Sequence, residues 1–215
     1  MFKRVLAAAL MAVLWGTVGV DFVTATDQLV SRIPLVSDDT SDLMVQKSFS
    51  DVRAKGSQPL NLHRTMANAP KMMLAAGVMA HAIRFDVTVP RVYSELAIIR
   101  SAQLNGGHYE EMQHRPMAMS CGLRRDQVDA IADWRKSNLF NARQRAVLDW
   151  SEGLFRQNGP SDTQFAALKK QFSDQEIVEL TMTATTYAGT AMFTRAMHTP
   201  LEPNAGNPND AYGNC

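Results

Sequence analysis

Cysteine is nearly absent: Cys121 and Cys215 are the only two among 215 residues. Two thiols this far apart make no disulfide framework of the kind that staples a small secreted domain. A single bridge to the C-terminal residue can form. Free cysteine is, however, among the most buried residue types, so the expectation is a buried Cys121 and a Cys215 on a loose tail. An excess of one charge is also lacking, with 22 Lys and Arg against 21 Asp and Glu and a net charge of +1. No basic face is implied, and nucleic acid is not an expected partner. Strand signals are scarce, since no Asn-Gly hairpin sits between alternating segments. The most apolar run, Val5 to Val20, falls short of the roughly 20 residues that a membrane-spanning helix needs.

That run has a different reading. Lys3 and Arg4 precede it, and Val23, Thr24 and Ala25 offer small residues where a signal peptidase cuts. Residues 1–25 therefore read as a secretory signal cleaved after Ala25, leaving an exported chain with no stable membrane insertion. An uncleaved N-terminal anchor is the alternative. No cysteine follows the run, so a lipid anchor is not supported. Residues 26–203 read as one domain, opening on an extended lead-in over 26–40. The Asn-, Gly- and Pro-rich tail, 204–215, reads as disordered.

What the chain has in plenty is helix punctuation. Ser41 and Asp42 suit the start of a helix that runs to Gly56. Pro70 and Pro90 suit first-turn positions. Gly106, Gly107 and Gly122 end the next two helices, and Asn141 caps a segment from Ala142 to Gln157. Two capping boxes follow, Ser161 with Gln164 and Ser173 with Glu176, the second opening a helix to about His198 that Pro200 stops. Apolar positions recur at three and four residues, as in Val92, Leu96 and Ile99, or Ile177, Leu180, Ala184 and Tyr187. The fold class is all-α. Thirteen methionines, among them Met72, Met73, Met79, Met117, Met182 and Met192, fall mostly at helical spacing and suit a Met-rich core.

Residues 95–114 hold the densest set of proton-handling groups. Glu95 lies among Leu96, Ala97, Ile98 and Ile99 at the edge of an apolar helix face, where partial desolvation would raise its pKa. After the Gly106-Gly107 turn, Glu110 and His114 are four apart and share a face. Pro116 should kink that helix. The same spacing also fits a solvated face on which Glu110, Glu111, His114 and Arg115 make surface pairs. A zinc site on Glu110 and His114 lacks a second histidine pair, because His108 falls on another face, so no metal is expected. His63, His81 and His198 stand alone in helical segments and suit core or surface roles.

Four stretches carry a family resemblance: Leu60-Asn61-Leu62-His63-Arg64 through Pro70; Pro90-Arg91-Val92-Tyr93-Ser94-Glu95-Leu96-Ala97-Ile98-Ile99-Arg100; Asn105-Gly106-x-x-Tyr109-Glu110-x-x-x-His114; and Phe172 to Leu180. Together they resemble the carboxymuconolactone decarboxylase family over roughly residues 30–203. The resemblance implies the all-helical alkylhydroperoxidase D-like bundle, assembling with itself into trimers or hexamers. Peroxidase members of that superfamily carry a Cys-x-x-Cys between the Glu and the His. Counted from Glu95, those positions here are Gly107 and Glu110, so thiol peroxidase chemistry has no nucleophile. Cys121 is too far along the chain to rebuild the motif.

The resemblance thus implies a cofactor-free lyase, decarboxylase or isomerase that moves protons on a small lactone or keto acid. Glu95, Glu110 and His114 are its expected catalytic groups, with His114 delivering a proton to carbon. Tyr109 would bind the developing enolate, and Arg100 or Arg195 the substrate carboxylate. The alternative is an exported, non-catalytic helical oligomer that binds a small molecule in the same pocket.

Overall fold

The computed structural model describes residues 30–54, 56–205 and 215. The expected signal segment, its cleavage after Ala25 and the tail over 206–214 lie outside the described residues. Residues 30–42 form the extended lead-in, and backbone pairing of Arg32 with Met197 and of Val36 with Arg64 ties it to the body.

Among the described residues all regular structure is helical. In chain order the helices are α1 (Leu43–Ala54), α2 (Asn61–Met66), α3 (Pro70–His81), α4 (Arg91–Leu104), α5 (His108–Ser120), α6 (Arg125–Ala130), α7 (Ala142–Leu154), α8 (Asp162–Lys169) and α9 (Asp174–Met197). A π turn over Ala82–Asp86 extends α3, and a 3-10 turn over Trp134–Lys136 precedes α7. No helix among the described residues is long and apolar enough to cross a membrane.

The capping residues explain most of these boundaries. Asp42 accepts from the backbone N–H groups of Met44 and Val45 at 2.9 and 3.1 Å, satisfying two donors that the first turn of α1 leaves orphaned. Asn141, Ser161 and Ser173 each accept one backbone N–H, from Gln144, Gln164 and Glu176, at the starts of α7, α8 and α9. Pro70 opens α3, whereas Pro90 sits one place earlier than expected, as the cap before Arg91. Helix α7 ends at Leu154 rather than Gln157, because Phe155 leaves helical geometry and the chain turns through Gly159 at a φ of 70°. Helix α9 closes on His198, a left-handed residue with φ of 53°, two residues before Pro200.

Helix α4 is the axis of the molecule. It packs against α5, α7 and α9, and Ser94 through Ile99 with Ser101 and Ala102 are all buried. It is covered on every side rather than carrying one apolar stripe, as a central helix must be. Leu96, Ile99, Leu148, Leu180 and Ala184 join α4, α7 and α9 in one core. A smaller cluster of Val45, Phe49, Ala67 and Met73 holds α1 against α3. The Met-rich core is only partly realised: Met73 and Met117 are buried, but Met72, Met79, Met182 and Met192 are exposed.

One further expectation needs correction. Cys121 and Cys215 form a disulfide with Cα atoms 5.1 Å apart, so neither is a free thiol and Cys121 is half-buried. Helix α5 carries Pro116 in its interior and runs on to Ser120.

The turn between α4 and α5 is fixed by close approach to α9. A Cβ added at Gly107 would collide with the Ala191 Cβ and lie 3.0 Å from its Cα. Gly189, on the same helix as Ala191, has nothing within 4 Å of a built Cβ. Gly107→Ala should therefore cost about 1–3 kcal/mol through overpacking, while Gly189→Ala should gain about 0.5–1 kcal/mol by removing a helical glycine. Thermal denaturation checks both: the first variant melts several degrees lower than wild type and the second slightly higher.

Candidate active site

The site grows from one buried ion. Glu95 is 0% exposed in the middle of α4, where an uncompensated carboxylate would be costly. Two partners compensate it. One turn earlier, Arg91 donates from Nε to Glu95 Oε1 at 2.7 Å, with Nη2 2.6 Å from the same oxygen. From α5, His114 Nδ1 stands 2.8 Å from Glu95 Oε2. Burial alone would raise the Glu95 carboxyl, but the His114 and Arg91 charges and hydrogen bonds outweigh it and hold the group below the usual carboxylate range. An ionised Glu95 accepts only, so His114 Nδ1 is the donor.

Arg91 is itself positioned. Its Nη1 donates to the Arg84 carbonyl at 3.2 Å, and Nη2 reaches Met117 Sδ at 3.9 Å. Tyr187 of α9 meets the His114 ring edge-on, with centroids 4.7 Å apart. The imidazole is thus fixed on one nitrogen and one face, and Nε2 is left toward Glu110 Oε2, 3.8 Å away.

Glu110 has the opposite environment. It is buried, neither Lys nor Arg pairs with it, and its Oε1 has no hydrogen-bond partner. Burial first, then the negative charge of Glu202, pushes its carboxyl up to about 8. At neutral pH Glu110 is mainly the neutral acid, while Glu95, at the other ring nitrogen, is the anion.

A cavity of about 120 Å³ opens onto this pair, lined by Tyr109, Glu110, His114 and Tyr187 and by Arg84 and His63. Most of the remaining lining is aliphatic: Leu60, Leu62, Met66, Met73 and Met117. Burial, then the Arg84 and Arg64 charges, pushes His63 down to about 4, so it is neutral at pH 7. Its Nδ1 accepts the Leu60 N–H at 3.0 Å.

The segment after α9 holds two of the cavity's lining residues, Tyr109 and Gln113. Glu202 accepts from the Tyr109 hydroxyl at 2.8 Å and the Asn61 N–H at 2.6 Å, and from Gln113 Nε2. Tyr109 in turn accepts the Leu62 N–H at 3.2 Å. Burial and the Glu202 charge raise the Tyr109 phenol, so it stays a neutral donor, committed to Glu202.

The structure therefore brings Glu95, Glu110, His114 and Tyr109 together and leaves both expected arginines outside. Arg100 pairs with Glu152 of α7 and donates to the Ala132 carbonyl. Arg195 is exposed, with its guanidinium over Gly106 at the α4–α5 turn. Neither lines the cavity; Arg84 does, and Arg91 stands behind the site on Glu95. The solvated-face reading of α5 splits: Glu111 and Arg115 form the surface pair, while Glu110 and His114 are buried. Among the described residues no group of three His, Cys, Asp or Glu is placed to hold a metal ion.

A raised carboxyl pKa ties stability to pH with a definite sign. Between the ordinary value of 4.5 and about 8, the native state holds a proton on Glu110 that the unfolded chain has released. Its stabilising contribution is complete below 4.5 and lost as pH rises through about 8. Glu110→Gln removes this dependence, so the variant should gain on wild type from pH 5 to pH 8 by up to about 1.4 kcal/mol per pH unit. Urea unfolding at each pH checks this; parallel stability curves for the two proteins would refute it.

Comparison with known proteins agrees with this architecture. Residues 70–153 match the Carboxymuconolactone decarboxylase family, a span that includes Glu95, Glu110 and His114. No curated protein matches the chain significantly. Among solved structures, the chain is similar to a peroxidase-related protein from Silicibacter sp. TM1040, with 15% identity over 86% of this chain and 98% of that one and a TM-score of 0.73. It is similar to a second, an alkylhydroperoxidase AhpD core protein from Ralstonia eutropha JMP134, at 17% identity over 82% and 94% and a TM-score of 0.70. It is also similar to a cysteine-to-alanine variant of the debrominase Bmp8 in complex with 2,3,4-tribromopyrrole, at 17% identity over 86% and 100% and a TM-score of 0.66. The central helices thus match the Carboxymuconolactone decarboxylase family over residues 70–153, and the chain has the alkylhydroperoxidase D-like fold.

Proposed function

We propose that the protein is a cofactor-free enzyme that decarboxylates a small β-keto acid or a related lactone acid by proton transfer. The observation that carries this reading is the pair of opposite carboxyl states on the two sides of one imidazole: Glu95 ionised at Nδ1, Glu110 neutral near Nε2. Carboxyl groups pushed apart in this way divide acid and base duties between them. The family match and the debrominase neighbour support catalysis as such.

In the proposed reaction the substrate carboxylate lies against Arg84 and its β-carbonyl oxygen takes a hydrogen bond from the neutral Glu110 carboxyl. The bond from the α-carbon to the carboxylate breaks, and carbon dioxide leaves. Its electron pair moves into the carbonyl to give an enolate, which the Glu110 donor stabilises. The α-carbon then takes the proton carried at His114 Nε2, and solvent restores that proton. Glu95, backed by Arg91, keeps Nδ1 protonated and offsets the charge on the ring. Tyr109 acts through Glu202 rather than on the enolate. This assignment moves the carboxylate-binding role from Arg100 and Arg195 to Arg84.

Thiol redox chemistry is not part of the proposal. Glu110 occupies one expected cysteine position, Ala191 leaves no room for a side chain at the other, Gly107, and both cysteines are held in the Cys121–Cys215 bridge. That bridge supports an oxidising compartment and hence export.

Turnover of a panel of β-keto and lactone acids in deuterium oxide tests the reading. The wild-type protein should release carbon dioxide and place one deuteron on the α-carbon of the product. His114→Gln and Glu110→Gln should each lower kcat by about 10²–10⁴-fold. Saturable binding with neither turnover nor deuteration across the panel would instead favour the non-catalytic binder.

A further inference from the structure

Two voids meet along α3. The outer one is a groove of about 960 Å³ between α1, α3 and the π turn, and it shares His63, Met73, Gly77, Ala80 and Arg84 with the active-site cavity. Its walls include Met44, Leu74, Val78 and Phe85, all exposed to solvent. Beside those apolar side chains the groove is also lined by Lys47, Asp51, His81 and Asp86. The inner void carries Tyr109, Glu110 and His114 from α5 and Tyr187 from α9, with His63 and Arg84 where it meets the groove.

Gly77 stands at the junction, and its presence is unexplained by folding. Glycine inside a helix costs about 0.5–1 kcal/mol relative to alanine. Gly77 is not among the glycines with positive φ, and a Cβ there would meet nothing within 4 Å. Neither backbone geometry nor packing calls for it. Its missing side chain instead leaves the boundary between the two voids open. Gly189, similarly unconstrained, lines neither void. A second, independent feature points to a ligand on the inner side: the buried Glu110 Oε1 lacks a partner, and buried polar atoms are rarely left so.

We propose that the site takes elongated amphipathic acids, with the acidic head between Arg84 and Glu110 and an unbranched aliphatic tail running past Gly77 into the α1–α3 groove. The head assignment rests on the β-keto acid reading, and the tail assignment extends that reading from small acids to long-chain ones. Arg84, on the common wall, supplies the charge complement for a carboxylate next to the apolar channel.

Binding of hexanoate and dodecanoate below micellar concentration, measured by calorimetry on the full chain, tests this. Neither acid has a β-carbonyl, so neither undergoes the proposed decarboxylation, and the tail assignment is judged apart from turnover. Each buried methylene tightens binding about three- to fourfold, so dodecanoate should bind at least about tenfold more tightly than hexanoate. Gly77→Phe at the junction and, separately, Leu74→Asp on the exposed groove wall should each cut that ratio to below about threefold. Equal affinities in the wild type, or an unchanged ratio in both variants, overturn the proposal. So does a dimer, seen by sedimentation, whose formation excludes dodecanoate, since a second copy would then occupy the groove.

Discussion

A carboxylate without solvent access, Glu95, is kept ionised by Arg91 and His114, and the geometry of the site follows from that interaction. The ion sits in the most buried helix of the molecule, where the cost of removing it from water is several kcal/mol unless its oxygens are fully engaged. One oxygen is engaged from one turn earlier on α4 and the other from α5, so the two helices are locked in register at this level. The imidazole is committed through Nδ1, and Nε2 is the nitrogen left for chemistry. With the Arg91 guanidinium and the Nδ1–H of the imidazole directed to Glu95, burial and the negative charge of Glu202 leave Glu110 with its proton.

This asymmetry explains why two glutamates reaching one histidine do not compete for it. Their side chains are the same and their surroundings are opposite: cation and donor around Glu95, aliphatic wall and anion around Glu110. Glu202 contributes from the far end of the chain, beyond α9. It organises Tyr109, Gln113 and the start of α2 while adding negative charge on the Glu110 side. Further on, the Cys121–Cys215 bridge joins the C-terminal residue to the end of α5, so both ends of the helix that bears His114 are tied to C-terminal residues.

Much of the helical scaffold was legible in the sequence because its signals are local. Asp42, Asn141, Ser161, Ser173 and Pro200 mark boundaries through bonds spanning only a few residues, and those boundaries lie where the residues indicate. Errors arose where a distant contact decides. The apolar residues of α4 reveal periodicity but not that α7 and α9 cover its remaining faces. Methionine spacing shows which residues share a helix, not which helix face a neighbour covers. In the site, Glu95 and His114 carried their own signal in spacing and family pattern. The Arg91–Glu95 pair had the same i, i+4 spacing as Glu110–His114 and was legible, though overshadowed by Arg100. The roles of Arg84, Glu202 and His63 depend on contacts between segments up to 141 residues apart, which no local pattern encodes. The Cys121–Cys215 bridge joins residues 94 apart and was hidden for the same reason.

The central claim is that one imidazole has an ionised glutamate on one side and a neutral glutamic acid on the other. Carbon-13 NMR of the side-chain carboxyls, assigned with Glu95→Gln and Glu110→Gln, reads both states directly across pH. The account predicts a Glu110 carboxyl still protonated at pH 7 and titrating near 8, together with a Glu95 carboxyl ionised to below its ordinary value. A Glu110 resonance that titrates near 4.5 and is fully ionised at pH 7 would contradict it.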